Sequence, residues 1–425
     1  MNKRLSTEPY KGTRDFYPED MAIQRYIFDT WSKTAELFGY ERYDASVLEP
    51  SELYKSKGAE NEEMVNEQTY TFIDRGDREV TLRPEMTPTV ARMIAGKRRD
   101  ISFPARWYSI PNLYRYERPQ RGRLREHWQL NCDMFGADDA VADVEMIALA
   151  HRLLTDFGAT PDMFEIRISH RTFLRNLLEK YGINDIVNAT RLIDRIHKMS
   201  ESDFKSEMEG YSTIGNVDTL YNVLQNADEK LIDSVAQNIS LMKVIDGLRA
   251  LGINNVVFSP SLARGFDYYT GIVFEVFDTS SENTRSMLGG GRYDNLTGMF
   301  DTEAVTGIGF GMGDVIMRDF LETHGLLPDS VRVTAPTLVV LPTDALHNLP
   351  AEGIAQQFRN AGVRTSVDLS AKKIGKKIGS ASDAGVRFIL VVGENELTSN
   401  TFGLKDLSQG TEHSGTPTDL LTHIV

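Results

Sequence analysis

Glycine stands at every second position of Gly307-Ile308-Gly309-Phe310-Gly311-Met312-Gly313. Side chains alternate between the two faces of a strand. As a strand, this run leaves one face bare and puts Ile308, Phe310 and Met312 on the other. Each glycine costs a strand about 0.5–1 kcal/mol relative to alanine. That cost makes sense where something flat must lie against the backbone, and a nucleotide base with its ribose would fit. A flexible glycine-rich loop is the plainer reading of the same residues. Gly289-Gly290-Gly291-Arg292-Tyr293-Asp294, just upstream, reads as a second close approach. Neither segment is a Walker loop, since no Gly-Lys-Ser/Thr follows, and no Gly-x-Gly-x-x-Gly follows a strand.

The run from Arg115 to Arg125 holds five arginines, with Pro119 and Gly122 marking a turn between two strand patterns. Residues 92–125 carry ten Lys and Arg against two acids, a local charge of +8 in a chain whose net charge is −14. Arginine presents a planar fork that matches phosphate oxygens. Such a loop suits a polyphosphate or a nucleic-acid end, or else it is a solvated hairpin. Glu117 inside the cluster favours the first reading. So do Gln129 and Asp133, four apart and hence on one face of the returning strand. Cys132 faces the other way and reads as core.

Two further polar segments carry two readings each. Glu85 and Thr87, beside Pro84 and Pro88, would hold an ammonium group; equally, Thr87 would cap a helix with Pro88 at its first position. Arg264, Tyr268 and Tyr269 would build a pocket inside a hairpin, or else form a tyrosine ladder on the surface. The eight histidines show no zinc-ligand spacing, and no Ser/His/Asp or Cys/His set supports covalent catalysis.

The chain divides by pattern. Residues 1–169 mix an amphipathic helix over Ala22–Phe38, ended by Gly39, with strand-like runs at Thr69–Ile73, Glu79–Leu82, Arg106–Arg115 and His127–Phe135. No proline occurs between Pro161 and Pro260, so 170–255 reads as a helical insert. In it, Ile232, Val235, Ile239, Met242, Ile245 and Leu248 mark one face of a long helix. Strand material resumes over 256–327, with Val256–Phe277 as a hairpin. After a linker at Pro328-Asp329-Ser330, residues 332–425 alternate strand and helix, which implies a largely parallel sheet. Lys372, Lys373, Lys376 and Lys377 fall on one face of an expected helix over Lys372–Ala384. They form either a solvated face or a phosphate-contacting stripe.

An acidic chain with one cysteine forms no intramolecular disulfide. Its longest apolar runs, near Leu338–Leu341 and Phe388–Val392, fall far short of the roughly 18–20 residues of a membrane span. Its first residues lack the apolar centre of a signal peptide. A cytoplasmic, multidomain protein is expected.

At these residues the chain resembles the histidyl-tRNA synthetases, a family of class IIa aminoacyl-tRNA synthetases, and the resemblance runs nearly end to end. Lys11-Gly12-Thr13-Arg14-Asp15 is similar to the family's N-terminal motif. The first helix with Glu49-Pro50 is similar to class motif 1, Arg115-Tyr116-Glu117-Arg118-Pro119 through Asp133 to motif 2, and the alternating glycines to motif 3. Arg264-Gly265-Phe266-Asp267-Tyr268-Tyr269 is similar to the histidine-specific motif, and Gly289–Asp294 to its companion glycine segment.

The resemblance implies a catalytic α+β domain on an antiparallel sheet, a helical insert, and a C-terminal α/β anticodon-binding domain. It implies a homodimer through motif 1, with L-histidine, ATP, Mg²⁺ carried by ATP, and tRNA(His) as partners. Glu85 and Thr87 would hold the α-ammonium of histidine, Asp133 and Tyr269 its imidazole with Tyr268 close by, and Gln129 and Arg264 its carboxylate. Arg115 would grip the α-phosphate. Glu117 and Arg123 would place adenine and the outer phosphates, against Gly309 and Gly311. Arg264 and Arg115 are the catalytic cations, and Arg121, Arg125, Lys372 and Lys376 the expected tRNA contacts. The chain departs from the family at Ile316, where many members carry arginine, and at Asp133, where glutamate is common. A regulatory paralogue without aminoacylation, or a tRNA- or amino-acid-sensing protein on the same fold, is the rival reading.

Overall fold

The structure, a computed structural model, describes residues 5–55, 68–213, 215–226, 228–236, 239–262, 268–332 and 334–424. It falls into two compact units, one made of residues up to 15 with 24–327, the other of residues 16–23 with 328–425.

The first unit holds β1 (Glu41–Arg42), β2 (Leu48–Pro50), β3 (Tyr70–Ile73), β4 (Glu79–Leu82), β5 (Ala105–Ser109), β6 (Asn112–Tyr114), β7 (Glu126–Phe135), β8 (Phe164–His170), β9 (Val256–Phe258), β10 (Ile272–Asp278), β11 (Ser286–Arg292) and β12 (Gly307–Gly313). Nine of them form one sheet in the order β1-β5-β7-β12-β11-β10-β8-β9, with β6 also on β7, while β2-β4-β3 form a small sheet of their own. The large sheet is antiparallel through its centre and parallel at both edges, where β1 meets β5 and β8 meets β9. The antiparallel sheet that the resemblance implied is thus present at the centre, within a sheet that is mixed as a whole. The expected hairpin over Val256–Phe277 is also corrected, because β9 and β10 flank β8 on opposite sides. A run of alternating apolar residues does not say which strand it will pair with.

At the centre, β7 buries both faces. Leu130, Cys132 and Met134 fill the apolar side, and Asn131 and Asp133 are equally buried on the other. Beside them, β12 pairs Gly309 with Asp133 and Gly311 with Asn131. On its far side Gly309 faces Gly291 and Gly311 faces Gly289. Two glycine-bearing strands thus run side by side next to a strand whose inward face is polar.

The first helix runs Pro18–Leu37, earlier than the apolar spacing indicated. Pro18 and the acids Glu19 and Asp20 suit a first turn. Gly39 ends it in the left-handed region, at φ +78. Among the described residues, 171–250 form six α-helices. The long helix expected there is two, Lys230–Val235 and Leu241–Ala250, parted by an extended Ala236. An apolar repeat every three or four residues continues across such a break without recording it. Leu241–Ala250 packs on Ala140–Asp156, where Gly247 lies against Val144.

The second unit adds β13 (Leu338–Pro342), β14 (Thr365–Val367), β15 (Phe388–Val392), β16 (Phe402–Asp406) and β17 (Thr411–Gly415) in the order β14-β13-β15-β16-β17. The β14-β13-β15 half is parallel, as the strand–helix alternation indicated. The β15-β16-β17 half is antiparallel and was not foreseen. The lysine stripe is corrected too. The helix runs Ile374–Asp383, so Lys372 and Lys373 precede it. Lys377 is buried, its ammonium donating to the carbonyls of Pro342 and Asp368.

Candidate active site

The bare glycine face is not open. A Cβ on Gly307 would strike the Tyr293 ring, one on Gly309 the Asp133 carboxylate and the Tyr293 hydroxyl, and one on Gly311 the Gln129 amide. The glycines let three polar side chains from neighbouring segments lie flat on the sheet. That corrects the expectation of a flat ligand resting directly on those positions. What remains is a cavity of about 80 Å³ with Gly289, Gly309 and Gly311 in its wall.

Glu85, Thr87, Arg115, Gln129, Tyr268 and Tyr269 line the same cavity. They come from four separate stretches of chain. Thr87 begins the helix Thr87–Gly96 and is not its cap; Met86 holds that position with no side-chain bond. The Thr87 hydroxyl therefore faces the cavity without a capping duty. Arg115 is fixed by its Nε donating to the Pro84 carbonyl at 2.8 Å, and burial pushes its pKa down. Tyr268 donates to Glu85 at 3.3 Å and stands edge-on to Tyr293, with ring centres 5.9 Å apart.

Asp133 lies one layer deeper than the sequence suggested. It is not in the cavity wall, and its Oδ1 takes the hydroxyl proton of Tyr293, which is. Its Oδ2 is buried and, among the described residues, has no hydrogen-bond partner. Burial lifts the Asp133 pKa to about 7, and the Tyr293 hydrogen bond only partly opposes this. Arg264 lies outside the described residues.

Beside the cavity, β6 and β7 carry the arginine loop between them. Arg123 pairs with Glu117, whose Oε1 is buried and, among the described residues, has no hydrogen-bond partner. Arg121 is held by Asn283 at 3.1 Å and Thr323 at 3.2 Å. Arg125 donates to the Glu117 carbonyl and stacks on Tyr116 at 4.0 Å. His127 is pushed down to about 3, by burial first and then by Arg115, Arg14 and Arg123. It is a neutral ring among converging cations, which suits an anion arriving from outside. Among the described residues, no group of three or more His, Cys, Asp and Glu side chains is placed to hold a metal.

The model of the histidyl-tRNA synthetase family matches residues 12–313, and that of the anticodon binding domain matches residues 337–425. A histidine–tRNA ligase of Leptospira biflexa is 42% identical over 96% of this chain and 94% of its own. The chain belongs to the histidyl-tRNA synthetases. One from Thermoplasma volcanium is 36% identical over 98% of both chains. The crystal structure of histidyl-tRNA synthetase from Nostoc, at 23% identity, has the same fold, with a TM-score of 0.79 over 99% of both chains. The chain's activity is that of the family, the joining of histidine to tRNA.

The synthetase's cavity is also lined by residues that reading the sequence missed. Asn131 lines the cavity, and its position between Gln129 and Asp133 already put it on their face. Tyr293 was visible only as part of a glycine-rich segment. Its neighbour Arg292 locks that segment by donating to Asp143 at 2.9 Å and to the Ala137 carbonyl.

Proposed function

We propose that this cavity is where histidine is activated. Its carboxylate attacks the α-phosphorus of ATP, giving histidyl-adenylate and pyrophosphate, and the histidyl group then passes to the 3′ end of tRNA(His). The observation that carries the reading is convergence. Glu85, Thr87, Arg115, Gln129, Tyr268, Tyr269, Gly309 and Gly311, singled out in five separate stretches of chain, share one small cavity.

Glu85 and Thr87 take the α-ammonium. Tyr269, with Tyr268 beside it, takes the imidazole, and Asp133 supports that side of the cavity from behind through the Tyr293 hydroxyl. Gln129 and Arg264 take the carboxylate. Arg115 meets the α-phosphate, where charge grows in the transition state and a fixed cation is most effective. The buried Glu117 Oε1 suits the adenine amino group, and Arg123 faces the outer phosphates, where Mg²⁺ would travel with ATP. No side-chain nucleophile is required.

The remaining assignments follow the same reading. Assigning Arg121 and Arg125 to tRNA asks each to leave the partners described above. Lys372 and Lys376 are exposed and available to the anticodon stem. A homodimer is supported by exposed Phe72 and Ile73 on β3 of the small sheet. Residues 170–255 would act as an insertion domain, and the cytoplasm is the expected compartment.

ATP–pyrophosphate exchange across the amino acids tests the core of this. Histidine should drive exchange, and threonine or proline should not; equal exchange with either rejects the assignment. Arg264→Ala should slow exchange about 10²–10³-fold.

A further inference from the structure

The helix Asp314–Thr323 follows β12 directly, and Ile316 stands in its first turn. Ile316 is buried and reaches the tip of the arginine loop, where a Cβ on Gly122 would lie 3.0 Å from its Cδ1. The same point is 3.5 Å from Cδ of Arg285, the residue just before β11. Loop tip, first turn and the Arg285 stem therefore meet at one place.

The other cations around that place are engaged. Arg14 is bound to Asp314 at 2.7 Å, Arg123 to Glu117, and Arg121 to Asn283 and Thr323. Arg285 is half-buried, and among the described residues it has no hydrogen-bond or ion-pair partner. Arg118 also lacks one, but it is exposed. Gly289 in the cavity wall lies four residues further along the same segment, about 13 Å away in extended chain.

We propose that Arg285 is the guanidinium that meets the outer phosphates of ATP in this chain, beside the position that Ile316 leaves without charge. This rests on the activation reading above, with the α-phosphate at Arg115. A half-buried guanidinium next to a polyphosphate path makes charge-assisted bonds that the inner phosphate cannot share. The local competitor is Asp319. Its Oδ2 is buried, has no hydrogen-bond partner among the described residues, and lies 3.9 Å from the same Gly122 point. Arg285 could serve as its ion-pair partner instead.

Equilibrium binding of Mg²⁺-ATP and of AMP to the full chain separates these possibilities. Arg285→Ala should weaken ATP roughly ten- to hundred-fold and leave AMP unchanged, and Arg285→Lys should recover part of the loss. Ile316→Arg in the Arg285→Ala background should restore ATP binding, which a structural partner of Asp319 would not do. Unchanged ATP binding by Arg285→Ala overturns the proposal. So does an equal loss for ATP and AMP with a lowered melting temperature that Asp319→Asn reproduces. A wild-type chain that binds ATP but shows no histidine-dependent exchange would sink the activation reading, while the ATP-to-AMP contrast would still decide Arg285.

Discussion

The two large sheets treat their interiors differently. In the C-terminal sheet both faces are apolar. Leu338, Val340, Phe388 and Leu390 pack on one side, and Val339, Leu341 and Ile389 on the other. In the catalytic sheet one face of β7 buries Asn131 and Asp133, and the glycines of β11 and β12 lie alongside. Burying polar groups costs free energy unless each finds a partner, and an ionised carboxylate costs most. The first sheet accepts that cost at its centre, beside the cavity proposed above for histidine activation. The second keeps its two faces apolar, with the buried Lys377 ammonium held by carbonyls at the strand ends. The two sheets thus strike different balances between burial and polarity, and each substitution below probes that division.

The largest effect is expected from Gly290→Ala. Its Cβ would overlap the Gly309 carbonyl oxygen and crowd Phe310 and Phe274. Backbone cannot swing aside, so the cost should exceed the roughly 1–3 kcal/mol of ordinary overpacking. Little folded, active protein should accumulate, as measured by circular dichroism and exchange activity. A well-folded, active variant would mean that the glycine strands are less tightly apposed than described.

Asp133→Asn probes the polar face by pH. The folded carboxyl holds its proton up to about 7, whereas the unfolded one releases it near 4. Between those values the unfolded state binds fewer protons, so wild-type stability falls as pH rises, and above 7 the loss is complete. Asparagine does not titrate. The variant should therefore gain on wild type between pH 4 and pH 8, by as much as about 4 kcal/mol. Urea melts at pH 4 and pH 8 measure this. A difference that is flat with pH would show that Asp133 is ionised throughout.

In the C-terminal unit the corresponding test is Lys377→Ala, which strands the Pro342 and Asp368 carbonyls. It should cost about 1–3 kcal/mol of that unit's stability while histidine-dependent exchange stays near wild type. Exchange lost in step with stability would deny the division between the sheets. The smallest effect belongs to Gly353→Ala. Gly353 is exposed in the helix Asn348–Asn360, with nothing within 4 Å of an added Cβ. Alanine should stabilise by up to about 1 kcal/mol, read as a small rise in melting temperature. A loss there would show that this helix face is already in contact with something.

What the sequence made legible follows the same division. Strict alternation and charge placed Gln129, Asp133 and the glycines on inward faces, and the arginine loop between two strands, because period two leaves little choice. Three things had no local signature. One was the pairing of β9 with β8, a decision between distant segments. Another was the burial of Lys377, whose partners lie at the ends of other elements. The third was Tyr293, whose role depends on Asp133, 160 residues away in the chain.

The contact of Asp133 with Gly309 and Tyr293 also bears on how this chain can diverge. The resemblance drawn from the sequence sets glutamate as the common residue at that position. Here an extra methylene would have to enter a space already closed by the backbone of β12 and the tyrosine ring. The three residues are therefore locked together as a mutational unit. Exchanging Asp133 for the commoner residue is a step this chain can take only after, or together with, a change at Tyr293.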